Sequence, residues 1–398
     1  MNAVPPAPGA TEIIALIQKT CAPLDAEFVP LANALGRVLR EPVCATEDLP
    51  AFDRSAVDGY AVQIDDDSSV LSLVDEIRAG DWKPRELKPG EATRIATGGA
   101  LPAPNLRVVM KEDAEISGNT VRVLKRTAER YVRCRGEDAL KGQTLVAVST
   151  RLTAGSLALL ASLGCAKPCV NRLPRVFHFA TGNELVTPEA VPLPGQIRDS
   201  NSTLVDAFLQ SQGVVARQCR LAEDKTAIEA ALGSCAEVAD VILVSGGASV
   251  GSHDFTRQAL EKNGFEVLVS KTATRPGKPL IFARRGPVVA FGLPGNPLAH
   301  FVCLNLFVRA ALESLAGLPP PPLWRRGSLA SALDAGGNAR ETFWPAFCRE
   351  DLGEPTLTPL RWSSSGDLTA LATANALIRV TDTATSLAPG TAVEFVRT

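Results

Sequence analysis

Four short stretches in the middle of this chain set glycines beside charged or amide side chains, a combination that lets backbone close on an anion. They are Thr181-Gly182-Asn183-Glu184; Gly246-Gly247-Ala248-Ser249-Val250-Gly251 with Asp254 after it; Lys271 with Arg275-Pro276-Gly277-Lys278-Pro279; and Pro294-Gly295-Asn296-Pro297. Without a Cβ, glycine brings N–H groups up to a phosphate, and a helix start just beyond adds partial positive charge. Lys271, Arg275 and Lys278 are cationic donors for oxyanions. Glu184, Asp224 and Asp254 are the oxygen ligands that a magnesium ion would need beside phosphates. The neighbouring run GQIRDSN (195–201) adds Asn201 as a helix cap, with Asp199 and Ser200 facing a ligand. The set suits a phosphorylated ligand, an oxyanion and a divalent cation. Taken singly, each piece has a plainer explanation, since Gly-Gly pairs make turns and acids near helix starts make caps. The functional reading rests on their convergence.

A second set lies in the N-terminal half. FDRSAVDGYAV (52–62) carries Asp58, RIATGGALP (94–102) carries Thr97, and VRCRGED (132–138) carries Arg133 and Asp138. By composition alone these are solvated turns and surface ion pairs. His178, His253 and His300 share no metal-ligand spacing.

The elements that must position these residues follow from periodicity. Residues 11–20 and 31–40 carry apolar positions at three- and four-residue spacing, which predicts two short amphipathic helices, the first capped by Thr11. Residues 46–142 alternate in short runs between turn clusters, an irregular β-rich module. A helix is predicted at about 154–163. From 174 to 318 the pattern changes to apolar strands at 175–180, 214–221, 240–245, 265–270 and 287–292, alternating with helices near 202–212, 225–236, 255–262 and 298–316. That order predicts a doubly wound, mostly parallel α/β sheet, in which ligands bind beyond the carboxyl ends of the strands. All four glycine loops fall at such ends. Pro319–Pro322 makes a stiff spacer, and residues 323–398 read as a small β-barrel or sandwich.

Composition narrows the function classes. The 398 residues hold 41 Lys and Arg against 43 Asp and Glu, so a polycation built for nucleic acid is not expected. Aromatic residues make up 5%, too few for base-stacking platforms. No run of about 18 consecutive apolar residues marks a membrane span, and the N-terminal segment has no basic stretch ahead of an apolar one. Nine scattered cysteines without C-x-x-C pairs point to free thiols in a reducing cytoplasm.

FDRSAVDGYAV, the loop at 97–99, RCRGED, TGNEL, GQIRDSN, SGGASVG with Asp254, PGKP and GLPGNP occur in one order. In that order the chain resembles the molybdopterin molybdenumtransferases, the MoeA and gephyrin E-domain family. The resemblance implies a helical domain from 1–45 with 143–173, an inserted β domain at 46–142, a molybdopterin-binding, MogA-like α/β domain at 174–318 and a C-terminal β domain at 319–398. It implies molybdenum insertion into adenylylated molybdopterin from molybdate, with release of AMP and with Mg2+ as cofactor. It also implies a homodimer whose site is shared between subunits, and a transient contact with the adenylyltransferase that makes the nucleotide. In that scheme Lys271, Arg275 and Lys278 handle oxyanions, and Glu184, Asp224 and Asp254 manage magnesium or water. Ser249 with the Gly246-Gly247 backbone, Thr181, Gly182, Gly251 and the 294–297 loop hold phosphate or pterin. Asp58, Thr97 and Asp138 come from the opposite subunit, and Arg133 binds substrate. Asn183, Gly99 and Ala299 stand where the family commonly has Asp, Ala and Ser. Two other readings are a scaffold of the same fold without turnover, and a pyrophosphatase sharing the α/β domain.

Overall fold

The computed structural model describes residues 7–246, 252–320, 322–350, 353–381 and 385–398, and the side chains of residues 252–254 are not among those described. Gly247, Ser249, Gly251 and the carboxylate of Asp254 therefore lie outside the described residues. The chain forms two units, a larger one of Met1–Arg40, Ser149–Thr153 and Lys167–Thr398 and a smaller one of Glu41–Val148 and Ala154–Ala166.

The smaller unit is built on a six-stranded sheet. Its strands are β1 (Gly59–Gln63), β2 (Val70–Ile77), β3 (Glu91–Ile95), β4 (Leu106–Met110), β5 (Ala114–Ser117) and β6 (Thr120–Val123). They lie in the order β4-β1-β3-β2-β6-β5, and only β2 and β3 run parallel. Period-two alternation buries both faces: Tyr60 and Val62 pack with Leu71 and Val109, while Ala61 packs with Ile77, Ile95 and Val108.

In the larger unit, α1 (Ala10–Thr20) begins one residue before Thr11, which therefore does not cap it. The free N–H groups of Gly9 and Ala10 donate instead to the carboxylates of Glu12, at 3.0 Å, and Glu341, at 2.9 Å. The second predicted helix, 31–40, does not form. Leu31–Asn33 make one tight turn, Gly36 adopts φ +75°, and Val38 and Leu39 bridge to Arg151 and Val170. A left-handed residue in mid-segment breaks helical repetition, and pairing with two distant segments takes over. The helix expected at about 154–163 does form, as α2 (Ala154–Ser162) in the smaller unit.

The α/β sheet comprises β7 (Val176–Thr181), β8 (Ala216–Leu221), β9 (Val241–Ser245), β10 (Glu266–Val269), β11 (Ile281–Arg285) and β12 (Val288–Leu293). Their order is β8-β7-β9-β12-β11-β10. The first four are parallel, and the β11–β12 hairpin and β10 add an antiparallel edge. Strand β11 is one the sequence pattern missed. Alternation assigns the faces. Val241, Leu243, Val289 and Phe291 pack against α1, α3 (Ser200–Ser211) and α6 (Pro297–Leu315). Ile242, Val244, Val288 and Ala290 pack against α4 (Lys225–Cys235) and α5 (Ser252–Lys262). Helices on both faces make the sheet doubly wound. Helix α6 is long and apolar enough to span a bilayer by composition, but it is a core helix, mostly buried inside the unit.

The last domain closes into a barrel of β13 (Arg325–Leu329), β14 (Glu341–Arg349), β15 (Thr356–Pro359), β16 (Ala376–Val380) and β17 (Ala392–Arg397). Pairing runs β14-β15-β13-β17-β16 and returns to β14, so these five strands leave no free edge in the ring. Leu357, Ile378, Val393 and Phe395 fill it.

Candidate functional site

Strands β7, β9 and β12 are adjacent and parallel, so the loops leaving them meet at one edge. There they line a cleft of about 360 Å³ with Thr181, Glu184, Ser200, Asn201, Gly246 and Gly295 on its walls. The backbone packing is close. Gly246 sits at φ +98°, and a Cβ there would lie 2.1 Å from the Thr181 carbonyl oxygen, so no larger residue fits. The GQIRDSN roles are exchanged relative to the sequence reading. Asp199 is the α3 cap: its carboxylate accepts from Ser202 N at 3.0 Å and Ser202 Oγ at 2.6 Å, with Arg220 3.6 Å away. Asn201 does not cap. Its Nδ2 donates to the Gly295 carbonyl at 2.7 Å and so ties the start of α3 to the 294–297 loop. Asp and Asn are equally good caps by type; the depth of Asp199, 3% exposed, decides between them. Asp199→Ala should lower the unfolding free energy by about 1–2 kcal/mol, read as a shift of the urea midpoint.

A second cleft of about 270 Å³ adjoins the first, and Asn296 lines both. Its walls bring Arg275, Lys278 and Arg340 together with Trp362 and Ser363–Ser365, and among the described residues they carry no carboxylate. The Arg275 guanidinium lies 5.5 Å from the centre of the Trp362 ring, which holds it in place by cation–π attraction. Trp362 in turn meets Trp344 edge-on at 5.4 Å. Asp367 organises the serine turn, accepting from Ser363 N at 3.0 Å, Thr369 N at 2.9 Å and Thr369 Oγ1 at 2.6 Å. Those bonds, led by the one from the Thr369 hydroxyl, draw its pKa down to about 2. Asn296 Nδ2 donates to Ser365 Oγ at 2.7 Å, and Leu298 N to the Ser365 carbonyl at 3.0 Å, which docks the barrel turn on the start of α6. Arg340 and the 362–365 turn were not found from sequence. Their signal was the run Trp-Ser-Ser-Ser-Gly-Asp, a turn cluster that gains meaning only once the barrel places it against Arg275.

The structure does not gather every predicted residue. Lys271 is exposed and outside the lining of both clefts. Asp224 caps α4, accepting from Ala227 N at 2.9 Å, and lines neither cleft. The Glu184 carboxylate reaches the first cleft. Among the described residues no three His, Cys, Asp or Glu side chains cluster as a metal site. Asn183 Oδ1 accepts from Glu223 N at 3.2 Å, a structural use of the amide, and Ala299 is a buried wall of the second cleft.

In the smaller unit, Asp58 accepts from Thr97 N at 2.8 Å and Thr97 Oγ1 at 2.7 Å, and Lys111 Nζ lies 3.2 Å away. The Thr97 backbone bond, then its hydroxyl and Lys111, draw the pKa of Asp58 to about 2, so it is ionised at any ordinary pH. Arg133 pairs with Asp138 at 2.5 Å and with Glu137 at 3.1 Å. The sequence reading had not included Lys111.

Residues 10–164 match the family model of the MoeA N-terminal region (domain I and II), residues 178–314 that of a probable molybdopterin binding domain, and residues 329–397 that of the MoeA C-terminal region (domain IV). A molybdopterin molybdenumtransferase of Nostoc sp. is 34% identical over 92% of this chain and 88% of its own length. One of Bacillus subtilis is 34% identical over 89% of this chain and 85% of its own. Among solved structures, the molybdopterin biosynthesis moea protein of Pyrococcus horikosii superposes with a TM-score of 0.80 at 29% identity, over 98% of this chain and 99% of that one.

Proposed function

Because the chain belongs to the molybdopterin molybdenumtransferase family, the transferases of molybdenum cofactor biosynthesis, we propose that it inserts molybdenum from molybdate into adenylylated molybdopterin and releases AMP. The observation that carries this reading is the pair of adjoining clefts. One is walled mainly by close-packed backbone, hydroxyl and amide groups, and the other by three cations and three serines, without an acid among the described residues.

The pyrophosphate of the nucleotide belongs in the first cleft, where Gly246, Ser200 and Asn201 offer close approach and polar contacts. Molybdate, a dianion, belongs in the second, where Arg275, Lys278 and Arg340 offset its charge and the 363–365 serines donate to its oxygens. Asn296 spans both, so two anions that repel each other in water are held side by side. Water attacks the anhydride phosphorus, the P–O bond to the pterin phosphate breaks, and AMP leaves. As its two thiols bond to molybdenum, the dithiolene gives up two protons to one oxo group of molybdate, which departs as one water. Magnesium fits this chemistry through Glu184. A carboxylate in the phosphate cleft that accepts no bond from a described residue is the kind of single protein ligand magnesium takes beside phosphate oxygens. When bound, the ion neutralises charge developing on the anhydride. Asp224 would join it only by giving up the α4 cap.

We place Asp58, Thr97, Arg133 and Asp138 at the same site, contributed by a second copy of the chain in a homodimer. The ionised, preorganised and exposed Asp58–Thr97–Lys111 group supports this reading. Nine scattered cysteines without C-x-x-C spacing fit a reducing cytoplasm. The test is incubation of the purified protein with adenylylated molybdopterin, molybdate and magnesium, following AMP and molybdenum in the pterin product together. AMP without molybdenum transfer would leave a pyrophosphatase, and neither product would leave a scaffold. For the shared site, Asp58→Ala and Lys278→Ala proteins should each be nearly inactive, and a mixture allowed to exchange subunits should regain activity. A mixture no better than its parents means that each site uses one chain.

A further inference from the structure

Three buried polar side chains meet between β7, the end of β9 and the start of α6, and the proposed reaction does not use them. His178 is on β7, Ser245 ends β9, and His300 is in the first turn of α6. Both histidines are 0% exposed and Ser245 is 2% exposed. His178 Nε2 lies 2.6 Å from Ser245 Oγ, Ser245 Oγ lies 3.4 Å from His300 Nε2, and His300 Nδ1 lies 2.9 Å from the Pro294 carbonyl oxygen.

Proton positions follow from counting donors and acceptors. A carbonyl oxygen only accepts, so His300 carries its proton on Nδ1 and leaves Nε2 bare. The hydroxyl facing a bare nitrogen must donate to it, so the Ser245 proton points at His300. Ser245 Oγ then offers lone pairs to His178, whose proton must be on Nε2. His178 Nδ1, which has no partner among the described residues, is left as a bare acceptor; the opposite tautomer would bury an unpaired N–H and set two acceptors against one hydroxyl. Both rings are neutral in this arrangement. Burial pulls His178 down to about 3 and His300 to about 4, against the opposing pull of Asp199, itself beside Arg220.

We propose that His178, Ser245 and His300 form a one-way hydrogen-bond relay that fixes the Pro294 carbonyl, and with it the loop dividing the two clefts, in the geometry that binds both anions. Loop 294–297 is held from α3 by Asn201 on the Gly295 carbonyl and from the barrel by Ser365 on Asn296. The relay is the anchor that reaches it from inside the sheet, and its middle member, Ser245, also lines the first cleft. The three are positioning residues: they act through the loop. Their role in turnover rests on the transferase reading; the relay itself does not.

Two measurements separate these. With three histidines in the chain, 15N-imidazole spectra of the wild-type protein are readily assigned using a His253→Gln variant. The relay requires His300 as the Nδ1–H tautomer and His178 as the Nε2–H tautomer, both unchanged from about pH 8 to 5.5, a range in which a free imidazole titrates. Titration of either ring in that range, or the reverse tautomer at either ring, overturns the relay whatever the protein catalyses. In the molybdenum-transfer assay, His300→Leu should raise KM for molybdate about tenfold with kcat within about threefold, while His300→Asn, which keeps an amide donor near the Pro294 oxygen, should stay within about threefold of wild type. Equal KM values in both variants with only a lowered melting temperature would reduce the relay to a packing feature. Absence of turnover in the wild type would sink the transferase reading and leave the spectra to judge the relay.

Discussion

Lys278→Ala is expected to lower kcat/KM for molybdate by about 100-fold, while KM for the pterin nucleotide stays within about threefold. Three cations line the second cleft, and they act differently. Arg275 is held against Trp362, and Arg340 lies with its Nη1 3.5 Å from the Thr274 carbonyl, so both are partly preorganised. Lys278 is exposed, a compact charge on a flexible stem able to follow an oxyanion whose charge changes during reaction. A donor aimed at developing charge contributes about 2–4 kcal/mol to the transition state. Lys278→Arg should recover part of the loss, since charge is kept and geometry is not. Arg275→Lys should lose activity despite keeping charge, because an ammonium on a flexible stem is not held by the indole as a planar guanidinium is. A Lys278→Ala enzyme with an unchanged molybdate KM and kcat would remove the second cleft from the reaction.

The largest stability effect is expected at Asp240. This carboxylate, 8% exposed, takes bonds from Arg172 Nη1 at 2.6 Å and Nη2 at 2.8 Å and from Arg175 N at 2.7 Å. It thereby pins the adjacent starts of β7 and β9, whose far ends carry the first cleft. Burial works against its charge, but the bonds from Arg172 and Arg175 outweigh it and hold the carboxyl well below the usual carboxylate range. Asp240→Ala leaves the half-buried Arg172 without its nearer acid, with only Asp25 3.8 Å away, and should cost about 3 kcal/mol, the low end for a broken buried pair. Asp240→Asn keeps the shape and should cost about 1.5–3 kcal/mol. The sign of the pH dependence follows from the lowered value. Stabilisation is complete above the unfolded carboxyl pKa, about 3.9, and is lost as pH falls below it towards the folded value. Urea midpoints of wild type and Asp240→Ala should therefore differ most at neutral pH and approach each other as pH falls below about 4. A gap of constant size down to acid pH would show that the effect comes from packing and not from charge.

Much of the fold was legible before any coordinates. The apolar runs at 175–180, 240–245 and 287–292 became β7, β9 and β12, because strands buried on both faces have little alternative to continuous hydrophobicity. Strand β11 escaped because Ile281–Arg285 ends in two arginines and turns back at once, so only its partner β12 looked like a strand. The helix expected at 31–40 had the right spacing, but spacing says nothing of Gly36 turning left or of the partners waiting at Arg151 and Val170.

The same division holds at the site. Residue types and their order along the chain were enough to determine the parallel core, the convergence of the glycine loops and the family, since these depend on local periodicity and on motifs read one at a time. Which of Asp199 and Asn201 caps α3, that Lys271 and Asp224 stand apart, that the barrel delivers Arg340 and the serine turn to Arg275, and that His178 and His300 meet across Ser245 were decided by tertiary structure. Each of these is a relation between groups far apart in the chain, and its energy depends on burial and distance, which exist only once the chain has closed.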